Sequence, residues 1–197
     1  MSYIGLMREL VYYVAVSLDG YIADPQGRYD AFLGDGDHVE VVVGEYGDAL
    51  PAHAHAAMGT TPPGTRFDTV VMGWDTLVPA LEAGIASPYP YLRQVVASRR
   101  KREVADDVTL TDDPVGTVRR LKAEDGDLDL WLCGGGRLAG SLAADIDRLV
   151  LKRHPVLLGA GIPLVAGATD GPQPFAPVGS RTFGSGVVVE EYARVRA

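Results

Sequence analysis

Three short stretches of the chain set glycine or a hydroxyl beside residues that bind anions, each directly after an apolar run. Cys133-Gly134-Gly135-Gly136-Arg137 follows Leu128-Asp129-Leu130-Trp131-Leu132. Glycines at a strand-to-helix junction let the backbone approach a ligand closely, and the following helix start presents unpaired N–H groups, so a phosphate is the natural guest. The same glycines serve equally to pack a helix onto a strand, and the spacing leaves both readings open. Gly134, Gly136 and Ala139 formally satisfy G-x-G-x-x-G/A, yet the motif lies two thirds along the chain, and about twenty residues on stands His154, not an acid for a ribose.

Gly73-Trp74-Asp75-Thr76 is a second junction, where backbone N–H groups and the Thr76 hydroxyl can hold phosphate or merely cap a helix. Ser98-Arg99-Arg100-Lys101-Arg102 places a hydroxyl and a run of cations after a third apolar run. Ser98 and Arg99 are the candidates there for an additional phosphate such as the 2′-phosphate of NADP, which the guanidinium fork fits; the rest of the run reads as solvated loop. His53 and His55 point to different faces of a helix, and His38 and His154 stand alone in sequence. No Ser-His-Asp spacing, Gly-x-Ser-x-Gly or four-ligand Cys/His cluster appears, which sets acyl transfer and structural zinc aside.

Positioning these residues requires buried strands. Leu10 to Ser17 is β-branched and aromatic throughout and closes at Asp19-Gly20; Phe67 to Gly73, Leu92 to Ala97, Val104 to Leu110 and Leu128 to Cys133 read as further strands. Helices are expected over 37–48, 51–58, from Asp75 or Thr76 with Pro79 inside the first turn, over 113–122 behind the Asp113-Pro114 cap, and over 137–144. For 37–48 a strand through Val41-Val42-Val43 stays open. Beyond residue 148 the strand-like runs Arg148–Lys152, Phe175–Phe183 and Val187–Val195 follow without ordinary helices, so they pair antiparallel. The expected architecture is one α/β domain over residues 1–197, parallel in its first two thirds and antiparallel at its end.

The chain has 197 residues, 47% hydrophobic and 22% charged, enough for one core. A formal charge of -8 argues against nucleic acid as a partner. Val156–Ala168 is too short and too broken by glycine to span a bilayer, and no secretory signal is read at the start, where Met7 is an alternative first residue. The single Cys133 fits a reducing cytoplasm.

Taken in order, Val14-Ala15-Val16-Ser17-Leu18-Asp19-Gly20-Tyr21-Ile22-Ala23, Val70-Val71-Met72-Gly73-Trp74-Asp75-Thr76-Leu77, Val95-Val96-Ala97-Ser98-Arg99, Leu132-Cys133-Gly134-Gly135-Gly136-Arg137-Leu138 and Pro155 to Leu164 resemble the dihydrofolate reductase-like superfamily. The nearest branch is the reductase domain of the bifunctional riboflavin-biosynthesis deaminase-reductase. The resemblance implies a three-layer fold with a mixed sheet of about eight strands, NADPH across the strand ends, and hydride transfer to a pterin, pyrimidine or flavin-precursor type of heterocycle. It implies that Ala15 and Ile22 flank the nicotinamide, Gly73 and Thr76 hold the pyrophosphate, and Ser98 and Arg99 face the 2′-phosphate. Gly134, Gly135, Gly136, Arg137 and Leu138 would line the coenzyme, with a cis Gly-Gly peptide among the glycines. Trp74 stands where the resembled pattern has arginine, so Arg99 or Arg137 would have to compensate, or the module would store a nucleotide or flavin without turnover. Asp37, ahead of Glu40 and Glu45, is the candidate proton donor. A homodimer is expected because small members of this branch pair and the last strands leave an edge to cover.

Overall fold

A computed structural model describes residues 8–167 and 171–196. The Met7 start and the last residue of the Val156–Ala168 run lie outside them. Ten strands and five α-helices follow in the order β1 (Leu10–Val16), β2 (Tyr21–Ala23), α1 (His38–Tyr46), α2 (Ala52–Met58), β3 (Phe67–Gly73), α3 (Trp74–Glu82), β4 (Arg93–Ala97), β5 (Val108–Thr111), α4 (Pro114–Lys122), β6 (Asp129–Leu132), α5 (Gly136–Ser141), β7 (Arg148–Arg153), β8 (Ile162–Pro163), β9 (Phe175–Thr182) and β10 (Val188–Arg194). A 3-10 turn, Gly47–Ala49, follows α1.

Eight strands form one sheet in the order β5-β4-β3-β6-β1-β7-β10-β9, while β2 and β8 pair separately. From β5 to β7 every pairing is parallel. The β7–β10 and β10–β9 pairings are antiparallel, as a finish without crossover helices requires. That finish sets aside an all-parallel Rossmann sheet. The fold is the three-layer dihydrofolate reductase-like one.

Alternation along β1 builds two cores. Val11 and Tyr13 join Val70, Met72, Val96 and Trp131 under α1 and α3, through Tyr46 and Leu77. Leu10 and Tyr12 join Val71, Val95, Leu130 and Leu132 under α4 and α5, through Val118, Leu121, Leu138 and Leu142. Strands covered on both faces must be apolar throughout, which is why they were legible. Asp113 caps α4 by accepting the Gly116 N–H at 2.9 Å, with Pro114 as first helical residue.

Three local expectations change, and one alternative closes. The β5 strand starts at Val108, because Val104–Asp107 form a turn that ends in Val108 N–H donating to Ala105 O. Pro79 is the sixth residue of α3, beyond the first turn, because the cap is Gly73 and not the expected Asp75 or Thr76; the helix stops three residues after the proline, so one missing N–H is tolerated. The helix after the glycines ends at Ser141, where Leu142–Asp145 turn the chain into β7. Residues 38–46 are helical, closing the strand alternative.

Candidate functional site

Parallel strands all end at one edge, and the residues singled out from the sequence gather there. The β3 strand passes into α3 through Gly73 with no side chain capping the first helical amides. Those N–H groups stay available to an anion. Thr76 stands in the first turn of α3, its Oγ1 4.0 Å from where a Cβ on Gly73 would lie and 3.4 Å from one on Gly135. The hydroxyl thus bridges two junctions that lie 62 residues apart in sequence, Gly73 and Gly135.

At the β6–α5 junction the glycines divide their work. Gly134 and Gly135 take positive φ values of 73° and 88°, conformations that side chains disfavour. Among the described residues no peptide is cis, so the expected cis Gly-Gly bond is replaced by two successive left-handed glycines that turn the chain. A Cβ on Gly134 would meet open space, whereas one on Gly136 would collide with the Pro163 carbonyl and one on Gly140 with that of Ala166. Gly136 is therefore a packing glycine, holding α5 against the 162–166 segment through Ala166 N–H donating to Gly136 O at 2.8 Å. Leu138 points its side chain into the core, leaving only its backbone for a ligand. Arg137 is exposed, with no ion pair among the described residues.

The β4 end carries the cations. Ser98 knots its own loop, donating from Oγ to Arg100 O at 2.8 Å and accepting from Arg100 N–H at 3.2 Å. Arg99, Arg100, Lys101 and Arg102 are exposed. Among the described residues none of them has a carboxylate partner. Arg102 lays its guanidinium over the Trp74 ring, 4.5 Å from the centroid. A cation thus lies at the start of α3 beside Trp74, and it comes from the loop read as plain solvated surface.

The first strand and its loop close the edge from the other side. Asp19 accepts hydrogen bonds from Ser17 Oγ at 2.6 Å, Leu158 N–H at 3.1 Å and Gly159 N–H at 2.7 Å, and these bonds, with the Ser17 hydroxyl foremost, lower its pKa. Ile22 lies in β2, whose neighbours pair with β8 in the register Tyr21↔Pro163 and Ala23↔Ile162. Ala15 faces Lys152 across the β1–β7 ladder.

Asp37, the expected proton donor, stands ahead of α1 with its carboxylate already engaged. Its carboxylate accepts the N–H groups of Gly184 at 2.6 Å and Ser185 at 3.0 Å, pinning the β9–β10 turn, and these two bonds lower its pKa. A general acid needs the opposite shift. Arg181 likewise holds Glu45, lowering its pKa.

Sequence reasoning missed a cluster beside Ala15. His38 and His154, separate in sequence, meet edge to face at 5.7 Å, and Phe32 packs on His154 at 5.0 Å. His154 Nδ1 accepts the Leu33 N–H at 3.1 Å; burial, then Lys152 and His38, lowers its pKa to about 4. Burial pushes the Cys133 thiol up to about 12, and Tyr89 OH lies 3.8 Å from its sulfur. Strand alternation applied to Tyr13-Ala15 and Val150-Lys152 would have put Lys152 on this face.

A separate cavity of about 240 Å³, lined by Val11, Thr65, Arg66, Asp127, Asp129 and Arg148, opens where the parallel strands begin, at the edge away from these junctions. No cluster of His, Cys, Asp or Glu fit for a metal occurs among the described residues, and no helix among them is long and apolar enough to cross a membrane.

This geometry has relatives. The uncharacterized protein YwjB of Bacillus subtilis (strain 168) is 30% identical over 164 residues, covering 80% of this chain and 82% of that protein. A solved putative riboflavin biosynthesis protein from Shewanella sp. PV-4 superposes with a TM-score of 0.67 at 26% identity, covering 96% of this chain and all of that one. The Thermotoga maritima diaminohydroxyphosphoribosylaminopyrimidine deaminase/5-amino-6-(5-phosphoribosylamino)uracil reductase shares the fold with a TM-score of 0.64 at 17% identity, this chain covering 58% of it. The RibD C-terminal domain family matches residues 8–189. With the ordered junctions and the mixed sheet already in place, that match settles kinship: the chain belongs to the RibD C-terminal domain family.

Proposed function

We propose that the protein is an NADPH-dependent reductase acting on a small conjugated heterocycle of pterin, pyrimidine or flavin-precursor type. The observation that carries this reading is the convergence of Gly73, Thr76 and Gly135 at adjacent strand ends, with the first-turn amides of α3 uncapped and the Ser98–Arg102 cations unpaired beside them. The residues present fit a phosphorylated dinucleotide: amides and a hydroxyl for the pyrophosphate, and guanidinium groups of Arg99 and Arg102 for the extra phosphate. The Gly134 and Gly135 backbone, Arg137 and the Leu138 amide border the same cleft, and Ala15 and Ile22 flank the ring end. When bound, NADPH supplies the hydride. Ala15, with its short side chain, leaves room for the acceptor ring on the β1 rung. With Asp37 held ionised, the proposal draws the accompanying proton from water at the edge.

A nucleotide- or flavin-storing module without turnover draws on Trp74 alone, and the Arg102 guanidinium above that ring answers it. We also propose a homodimer through β9, whose outer edge has no strand partner among the described residues and which carries Val178 at 55% exposure. Calorimetric titration with NADPH and NADH tests the main reading: NADPH binds more tightly than NADH if it holds, and binding of neither overturns it.

A further inference from the structure

Resting on the reductase reading for the reaction itself, we propose that Lys152 anchors an anionic oxygen of the acceptor. The preferred substrate class is then a planar heterocycle bearing an ionised carboxylate, enolate or imide oxygen.

Lys152 lies near the end of β7, with Ala15 of β1 opposite on one side and Val189 of β10 on the other, both apolar. Its ammonium is 4.3 Å from the centroid of Tyr13 on the adjacent strand and makes no hydrogen bond or ion pair among the described residues. The remaining company is uncharged at neutral pH. Cys133 is a thiol because burial pushes it up to about 12, and His154 is a neutral imidazole because burial, Lys152 and His38 lower it to about 4. Tyr13 is buried, and its hydroxyl has no hydrogen-bond partner among the described residues. An ammonium drawn partly out of water among neutral groups is unfavourable unless it loses its proton or gains an anion. Burial lowers the Lys152 pKa to about 8, so at pH 7 the charged form still dominates and the counter-ion is what is missing.

Position makes that missing anion a substrate group. Register pairs Tyr12 with Leu132, which puts Cys133 beside Tyr13, so Lys152 and Cys133 flank β1 on opposite sides, Cys133 level with Tyr13 and Lys152 level with small Ala15 two residues further on. A flat ring resting over Ala15 would bring an edge oxygen to the ammonium. The phosphate junctions lie on the β3, β4 and β6 side of β1, so one coenzyme anion does not serve both.

Orotate, a pyrimidine carboxylate, and its neutral amide are the probes, titrated calorimetrically into the full-length protein. Orotate is expected to bind about tenfold or more tightly than the amide, K152M to abolish that preference, and K152R to retain part of it. Equal affinities for the two probes, binding of neither, or an orotate affinity unchanged in K152M overturns the proposal. If K152M does not fold, K152Q takes its place with the same criteria. NADPH titration of the same samples scores the reductase reading separately: NADPH binding without orotate preference defeats only the lysine proposal, and orotate preference without NADPH binding defeats only the coenzyme.

Discussion

The two edges of the sheet treat charge in opposite ways. Where the parallel strands begin, charges are matched: buried Arg8 pairs with Asp68, buried Lys122 with buried Asp147, and half-buried Arg148 with Glu9 at 3.0 Å. Asp48, 1% exposed, accepts four backbone N–H groups, from Gly64, Thr65, Arg66 and Phe67. Where those strands end, Arg99 to Arg102, Arg137 and Lys152 have no carboxylate partners among the described residues, and the amides starting α3 have no side-chain cap. A satisfied edge holds the fold; an unsatisfied one has capacity left for a ligand.

One substitution made at both edges separates them most sharply. K122M strips a partner from buried Asp147 and is expected to cost about 3 kcal/mol, near the low end for a broken buried pair because Arg196 still reaches that carboxylate. K152M removes an ammonium that has no carboxylate partner and whose burial is itself costly, so at pH 7 it is expected to leave stability unchanged or raise it. Urea denaturation of the two variants reads the contrast, and equal losses would erase it. Because the folded Lys152 pKa lies below its ordinary value, the wild type should gain stability relative to K152M as pH rises from about 8 toward the unfolded value near 10.5.

Next in size come the packing glycines. Gly140→Ala drives a Cβ into the Ala166 carbonyl and is expected to cost about 1–3 kcal/mol by the same denaturation. Gly134→Ala meets no atoms and pays only for its positive φ, about 1 kcal/mol, so it should harm stability less. Of comparable size is Arg102→Ala: NADPH affinity falls about tenfold with NADH unchanged, measured calorimetrically, as expected for one lost charge-assisted contact. A further effect is read against pH and concerns His154. Its folded pKa of about 4 is below the unfolded 6.5, so the unfolded state takes up the proton first and stability drains as pH falls from 6.5 toward 4. His154→Gln should flatten that limb of the pH–stability profile.

Much of this was written in the sequence, for reasons that differ by region. Strands covered on both faces announce themselves as unbroken apolar runs, and the Asp113-Pro114 cap fixes α4 by local chemistry alone. The glycine junctions showed where an anion could sit, but not that Gly136 serves packing while Gly134 faces open space, since that depends on the 162–166 segment returning over α5. Asp37 misled because a helix-start carboxylate looks the same in sequence whether it is free or holds a distant turn, here Gly184-Ser185. The Trp74–Arg102 stack, the His38–His154 contact and the Lys152–Tyr13 contact arise only when separate strands and loops meet, and no local spacing encodes them.

Hydrogen–deuterium exchange with and without NADPH tests the division between the edges most directly. Protection confined to residues 73–76, 98–102 and 134–138, with Thr65, Arg66 and Asp129 unchanged, is the expected result. Protection at Thr65, Arg66 and Asp129 instead, or none at either edge, would contradict it.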